Sequence, residues 1–519
     1  MKAYVRNDMI CVSFSYRPRL VERAREIPDR AFDRTQREWT CPATPWHARW
    51  VAEHFQDFHI SGDILALAKT KADASRIETK RLGALYPYQI EAVRFIERAG
   101  GRVIVADDMG LGKTIEFIGW IKLHPEFSRI LVVAPTNAIY LWAMQIKTWT
   151  GEVAGVIETT RQSLPDSRWW ILSYTMMTLR YAQLQGASVV CFDEGHALKN
   201  RKAQRTRAAR MVIAGVPHVL FMSGTPFINR PSELFQPLNM LDPIAWKDFF
   251  PFAKRYCDAH YDLAERWITT GASHTEELRE RLGTIMIRRE KSEVAKDMPP
   301  KTRTLVPVEI NNRKDYIEAR RQTVTAVKEA RRSRNYRNEL EKVNSLRGLV
   351  GLGKVDAAVE WAETFLESSD EKLVIFAHHL LIHSILQTRL KRFGVVRITG
   401  NETAKKQFAH QQEFQTGSPR VMLLSEAGGQ SIDLFVASNI LFVEREWTPA
   451  RETQIEDRLH RHGQKNPVNV VFLTGRNTID QRFDEVVESK RKVFAEIIGE
   501  DEVKRVVLDE LFDYLKEEA

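Results

Sequence analysis

The sequence predicts an α/β protein: two parallel-sheet domains of similar plan, helical segments inserted between them, and a small α+β unit at the N-terminus. Three observations carry this reading. Short apolar runs alternate with helix-period or polar stretches in two separate blocks, the signature of buried parallel strands in βαβ units. Between the blocks the composition turns polar and basic. Ahead of them, a strand-like stretch precedes a basic helical one. A chain of 519 residues, 43% hydrophobic and 28% charged, suits a globular protein large enough for roughly three cores.

Taken in order, residues 1–80 open with YVRNDMICVSFSY, read as strand, and RPRLVERAREI, read as helix. The first block, 81–241, contains RVIVA (102–106), RILVVAP (129–135), WWILSY (169–174), SVVCFDE (188–194) and HVLFMSG (218–224). Residues 242–354 read as a helical insert and linker. Within them, 311–347 is rich in Lys and Arg and admits two readings, a solvated helical insert or a basic arm on a phosphate backbone. The second block, 355–495, contains KLVIFAHH (372–379), VVRITG (395–400), RVMLLS (420–425), NILFVE (439–444) and VNVVFLTG (468–475). Residues 496–519 read as a C-terminal helix.

The net charge of +9 fits an anionic partner such as nucleic acid. Cys11, Cys41, Cys191 and Cys257 are widely scattered and read as reduced thiols, without a disulfide framework or a zinc site. The pairs His378/His379 and His460/His462 have no cysteine or carboxylate set at ligand spacing. No signal-peptide core and no apolar run near the roughly 20 residues of a membrane span is present. The expectation is a soluble intracellular chain with no membrane partner.

RVIVA runs directly into DDMGLGKT, Asp107 to Thr114, and then into the helix-period IEFIGWIKL. Strand, glycine-rich turn, Lys-Thr and helix form the context of a phosphate loop. Asp108, Met109, Gly110, Leu111, Gly112, Lys113 and Thr114 are therefore the expected ATP-binding residues. Gly110 and Gly112 let backbone N–H groups close on phosphate oxygens. Lys113 supplies a cation to the β and γ phosphates, Thr114 a hydroxyl for Mg2+, and the helix N-terminus its partial positive charge. Asp107 stands where the general pattern has glycine.

SVVCFDE ends in adjacent carboxylates, Asp193 and Glu194. Alone, a strand surfacing into an acidic loop is the simpler account, because burying an ionised carboxylate is costly without a partner or metal. Beside a phosphate loop the assignment changes: Asp193 holds Mg2+, directly or through water, and Glu194 polarises the attacking water. In RETQIEDRLHRHGQ, Gln454, Arg458 and Arg461 fall at helical spacing on one face, with Gly463 as the stop. They are either a solvated basic face or fingers that stabilise charge on a transferring phosphoryl group. Fingers supplied by the second domain would make hydrolysis depend on closing a cleft.

These motifs together resemble the Swi/Snf-type ATPases of helicase superfamily 2 over roughly 82–490. LYPYQIEAV (85–93) resembles the adenine-reading Q motif, which implies that Gln89 contacts the base. DDMGLGKT is close to the family's phosphate loop, which accounts for Asp107. DEGHALKN resembles the DEAH box with its trailing Lys-Asn, with Gly195 in place of the usual alanine. SGTP (223–226), followed by ELFQPLNML, resembles the coupling motif, implying that role for Ser223, Gly224 and Thr225. MIRREKSEVAKDMPPK (286–301) is similar to the arginine–lysine segment and linker between lobes, and EDRLHRHGQ to the final motif. SEAGGQSIDL (425–434) resembles motif V, with Gly429 in a coupling role, Ser431 where the family has glycine and Asp433 where it has asparagine. Residues 10–56, including Trp39, are similar to the HARP domain that precedes the motor in annealing helicases, and RPSELF and KRYCDA resemble that branch.

The resemblance implies two tandem RecA-like domains, catalytic residues Lys113, Asp193, Glu194, Arg458 and Arg461, and Gln454 in coupling. It implies duplex or forked DNA as partner, held through phosphates by Thr136, Asn137, Ser173, Tyr174, Lys199 and Asn200. The implied activity is a DNA-stimulated ATPase that translocates on duplex DNA and remodels or reanneals forks. The alternatives are a nucleotide-gated DNA-binding adaptor and an RNA-directed helicase. The N-terminal unit either selects fork structure or caps the first lobe.

Overall fold

A computed structural model describes residues 1–69, 82–224, 231–262, 265–295, 297–332, 336–426, 432–496 and 500–517. The N-terminal unit is a sheet in the order Ala31–Asp33, Glu38–Pro42, Met9–Ser13, Lys2–Arg6, His59–Ile60. Helices Pro18–Glu26 and Pro45–His54 contribute to a core with Ile10, Val12, Ala24, Val51 and Phe55. The stretch read as one strand is a hairpin in which Arg6 pairs with Met9. Asn7 and Asp8 take φ of 49° and 58°, the positive values a tight primed turn needs.

Every apolar run named for the two blocks is a strand. The first sheet runs Met286–Ile287, Arg102–Val105, His218–Met222, Val189–Asp193, Ile130–Ala134, Trp169–Ser173, Gly155–Ile157, and each pairing is parallel. This order brings the C-terminal ends of Arg102–Val105, His218–Met222 and Val189–Asp193 side by side. The phosphate loop, residues 223–224 and the acidic pair therefore emerge together, where open α/β sheets bind ligands. The second sheet runs Lys301–Val308, Val468–Gly475, Asn439–Phe442, Leu373–Phe376, Val421–Leu424, Val395–Ile398, again all parallel.

The stretch 242–354, read as helical, also contributes strands to both sheets. Met286–Ile287 extends the first sheet and Lys301–Val308 edges the second. A two-residue strand has no periodicity, and KTRTLVPV is mostly exposed, with a proline that an edge position tolerates.

The basic stretch is a packed layer. Helices Arg313–Arg332 and Tyr336–Gly353 bury Tyr316, Val327, Val343 and Val350 against Phe483, Val507, Leu511 and Phe512. Those partners lie on Ile479–Glu496 and Glu500–Glu517. The N-terminal unit is keyed through Arg281 to the segment 242–354, where Trp246, Leu278 and Leu282 share the first lobe's core. The Arg281 guanidinium pairs with Asp29 and lies 3.8 Å from the Trp246 ring centre and 4.7 Å from that of Trp46. His47 reaches the same Asp29 carboxylate at 3.1 Å. Among the described residues no helix is long and apolar enough to cross a membrane.

Candidate nucleotide site

The phosphate loop turns on two left-handed glycines, Gly110 (φ +86°) and Gly112 (φ +92°), and enters the helix Lys113–Leu123. A Cβ on Gly110 would lie 2.8 Å from the Cβ of Arg461, so the second lobe rests directly on the loop. The Lys113 ammonium donates to the carbonyls of Asp107 (2.6 Å) and Asp108 (3.2 Å). Residue 224 abuts the same place: a Cβ there would meet Met109 Cγ at 2.3 Å and Lys113 Nζ at 3.3 Å.

Asp107 lies fully buried under the loop. Burial requires a counter-charge, and Arg289 supplies it. The Arg289 backbone N–H donates to Asp107 Oδ1 at 2.9 Å, and its guanidinium bonds Asp107 and also Glu116, the latter at 3.0 Å. Burial and the Asp107 carboxylate push Glu116 well above the usual carboxylate range. The next residues continue the tie, since Lys291 N donates to Asp108 Oδ2 at 3.0 Å. Neither Arg289 nor Lys291 was among the expected site residues; the signal was present in the arginine–lysine segment, but nothing in it names Asp107 as the partner.

Asp193 sits at the end of its strand, held by three groups. Trp142 Nε1 donates to Oδ2 at 2.9 Å, the Glu194 N–H to Oδ1 at 3.0 Å, and the Tyr174 hydroxyl to the Asp193 carbonyl at 2.7 Å. Enclosure and the Glu194 carboxylate push Asp193 up to about 6. Enclosure acts on Glu194 in the same sense, but His196, Lys113 and Arg458 outweigh it and hold that carboxyl below its ordinary value. His196 joins two motifs, 3.3 Å from Glu194 Oε2 and 3.1 Å from the Ser223 hydroxyl. The departure at Gly195 has a steric reason, because a Cβ there would meet Phe221 Cδ1 at 2.9 Å.

The two arginines reach the cleft by a route other than the one expected. The helix Pro449–Glu456 ends before either of them, so Arg458 and Arg461 ride on successive turns and share no helical face. Contacts from the linker account for the break. Lys291 and Lys301 hold Asp457 at 2.9 and 3.3 Å, Lys301 and Arg303 hold Glu456 at 2.8 and 2.6 Å, and His460 Nε2 bonds the Pro299 carbonyl at 2.8 Å. Gly463, at φ +98°, closes the turns. Arg461 pairs with Asp433.

One cleft between the lobes is lined by Met109, Gly110, Gly112, Lys113, Thr114, Asp193, Glu194, Asp433, Arg458 and Arg461. Gln89, Asp108, Leu111 and Gln454 are not part of this lining. Gln89 lies beneath the loop, where its Nε2 donates to the Leu111 carbonyl at 2.9 Å. Thr225, Gly429 and Ser431 lie outside the described residues.

The expected DNA contacts divide by environment. Thr136 is exposed and Asn137 half-buried on the turn Thr136–Ala138. Lys199 and Asn200 are exposed, with Lys199 2.9 Å from Glu233. Ser173 is buried and caps the helix Tyr174–Arg180, and the Tyr174 hydroxyl is engaged on Asp193. His378, read as lacking carboxylate partners, comes within 4.8 Å of Glu426 and Glu446, with ligand atoms of all three facing one another. They meet because parallel strands distant in sequence end as neighbours.

Residues 88–350 match the SNF2-related domain and residues 354–463 the helicase conserved C-terminal domain. The chain is 31% identical over 437 residues to the SWI/SNF-related matrix-associated actin-dependent regulator of chromatin subfamily A-like protein 1 of Xenopus laevis, covering 82% of this chain and 45% of that protein. It is 30% identical over 425 residues to the human DNA annealing helicase and endonuclease ZRANB3, covering 76% and 39%. A subfamily A-like protein 1 homolog of Caenorhabditis elegans is 30% identical over 521 residues, covering 94% and 75%. The chain thus spans less than half the length of the first two relatives.

Proposed function

The chain belongs to the SNF2-related family, and from that premise we propose that it is a DNA-stimulated ATPase that translocates on duplex DNA and remodels or reanneals forked DNA. The observation that carries this reading is the cleft in which Lys113, Thr114, Asp193 and Glu194 of one lobe meet Arg458 and Arg461 of the other. In this reading 81–241 and 355–495 are the two motor lobes, 242–354 the insert and linker, 496–519 the C-terminal helix, and 1–80 a HARP-like DNA-recognition unit.

Each residue has a chemical task. Lys113 exchanges its two loop carbonyls for phosphate oxygens. Thr114 and Asp193 offer oxygen donors, the set a hard cation takes, and the proton affinity of Asp193 marks a carboxylate short of positive charge. They would hold Mg2+, which neutralises charge on the phosphates. Glu194, kept ionised by His196, Lys113 and Arg458, accepts the hydrogen of the attacking water and orients it in line. Arg458 and Arg461 stabilise the charge that develops on the transferred group, and only with the lobes together. His196 transmits changes at Glu194 to Ser223 and residues 223–226, the proposed coupling segment. Thr136, Asn137, Lys199 and Asn200 would meet DNA phosphates, while Ser173 and Tyr174 support the site from behind.

The test is steady-state ATP hydrolysis by wild type and Glu194→Gln with no nucleic acid, single-stranded DNA, blunt duplex, forked DNA and duplex RNA at one salt concentration. Stimulation by duplex DNA, greatest with forks, and a loss of about 10²–10⁴-fold in the variant is the expected result. Equal stimulation by fork and duplex removes the fork reading of residues 1–80. Stimulation by RNA alone makes the chain an RNA-directed helicase. Absence of stimulation by any nucleic acid replaces the translocase with a nucleotide-gated adaptor.

A further inference from the structure

Strands Leu373–Phe376, Val421–Leu424 and Asn439–Phe442 of the second sheet end side by side, and three side chains distant in sequence converge there. His378 follows the first strand, Glu426 the second and Glu446 the third. Each offers one ligand atom, and these atoms lie within 4.8 Å of one another. None of the three residues lines the nucleotide cleft.

The surroundings leave lone pairs unused at this spot. Glu446 is 1% exposed, yet its buried Oε1 has no hydrogen-bond partner among the described residues. The neighbouring Arg445 is already engaged by Glu452, Asp484 and Glu488. A buried carboxyl oxygen left this way is costly unless a ligand satisfies it. Glu446 Oε2 lies 3.9 Å from the His378 ring at Nε2. That Nε2 bonds the Arg445 carbonyl at 3.1 Å, a bond only an N–H can make, so the lone pair of the neutral ring is on Nδ1. Nδ1 faces Glu426 Oε2 at 3.9 Å, while Glu426 Oε1 is held by Arg451. Glu444 fixes the backbone from behind, accepting the N–H of His378 at 2.8 Å and of His379 at 3.0 Å.

We propose that His378, Glu426 and Glu446 form a binding site in the second lobe for a divalent transition cation of the Zn2+ or Mn2+ class. One imidazole nitrogen with two carboxylate oxygens is a donor set these ions take, and three protein ligands leave a position for water. His378 is oriented as metal-ligating histidines are, with its other ring N–H on a backbone carbonyl. Donor atoms around such an ion lie roughly 3.0–3.5 Å apart, so spacings of up to 4.8 Å close with shifts of under about 1 Å per side chain. Burial and the Glu452 carboxylate push Glu446 up to about 8, and an ion binding there displaces its proton. The ion would pin Glu426, at the head of the segment that resembles motif V, to the two neighbouring strand ends. The site is independent of the nucleotide-site reading.

The test is titration of the metal-free full chain, without nucleotide, with Zn2+ or Mn2+ against a chromophoric chelator, and with Mg2+ as competitor. Wild type, His378→Gln, Glu446→Gln and Asp193→Asn are compared, with the thermal midpoint in the absence of metal reporting folding. Wild type and Asp193→Asn should bind one Zn2+ or Mn2+ ion, and the other two variants should bind it about tenfold or more weaker. Mg2+ should fail to displace it. X-ray absorption of the Zn2+-loaded wild type, which needs no variant, should show nitrogen and oxygen neighbours with one imidazole. A wild type that binds neither ion, unchanged affinity in His378→Gln or Glu446→Gln, or sulfur around the zinc overturns the site. Loss in Asp193→Asn alone moves the ion to the nucleotide cleft, and equal competition by Mg2+ overturns the assigned class.

Discussion

Two pairs of carboxylates end up close together in the first lobe, and their treatment differs. Asp107 and Glu116 are both closed over and share one guanidinium, Arg289, which is hydrogen-bonded to each. Asp193 and Glu194 open onto the cleft, and no cation bonds Asp193 among the described residues. Its partners are an indole N–H and a backbone N–H. The first pair shares a cation supplied from within the fold, which leaves Glu116 Oε2 without a hydrogen-bond partner and its carboxyl well above the usual range, and it ties the phosphate loop to the linker. The second is left short of positive charge on the side where a metal–nucleotide complex would supply it. Both pairs are incompletely compensated; what separates them is access, since only Asp193 and Glu194 line the cleft.

Breaking the first pair should have the largest effect. Arg289→Met leaves Asp107 buried without its cation and Glu116 without its hydrogen-bond partner, a loss of about 3–5 kcal/mol, or a fall on the order of 10 °C in the first lobe's thermal midpoint. Adding Asp107→Asn should recover part of it, because a neutral amide is less costly to bury. A midpoint within about 2 °C of wild type would show that Arg289 does not hold the pair and would dissolve the contrast.

The second pair should answer to pH. Asp193 takes up a proton near pH 6. Above that value it is ionised and able to bind a cation; below it, proton and metal compete. Mg-ADP affinity should fall by up to about tenfold per pH unit below 6, whereas Asp193→Asn should bind weakly at every pH. An affinity flat from pH 5 to 7 would place the metal away from Asp193.

The smallest expected change sharpens the role of the link between the motifs. His196→Ala removes a partner that keeps Glu194 ionised, so the acid limb of the pH–rate profile should move upward in pH. Turnover at neutral pH should fall by roughly three- to tenfold, the scale of one ordinary hydrogen bond. A lower rate with an unmoved acid limb would make His196 a prop for Ser223 alone.

How much of this was legible beforehand depends on how local the cause is. Continuous apolar runs mark strands buried on both faces, and the glycine–lysine turn carries its own geometry, so both sheets and the phosphate loop were readable. Features set by distant partners were not. The arginine segment looks helical throughout, yet Lys291, Lys301 and Pro299 open it after Glu456. Tyr174 looks like a surface hydroxyl beside a DNA groove, yet it supports Asp193 on the neighbouring element. Met286–Ile287 is too short to show a period, and Lys301–Val308 reads as no apolar run because most of its side chains are exposed. Gln89 matches its motif by sequence, while its amide is taken by Leu111 and Tyr86, contacts that no spacing rule encodes.

The Arg281 contact has a practical corollary for anyone shortening this chain. Its guanidinium lies between Trp246 of one unit and Trp46 of the other, with Asp29 as counter-ion. Deleting the first 80 residues would remove one ring and the only carboxylate paired to it among the described residues. A cation and an indole would then face water on the segment 242–354. A truncated protein would carry a sticky wound as well as a missing module, and its phenotype would mix the two. Substituting Asp29 and Trp46 in the full chain separates docking from presence, and a deletion carried with Arg281→Gln separates presence from damage.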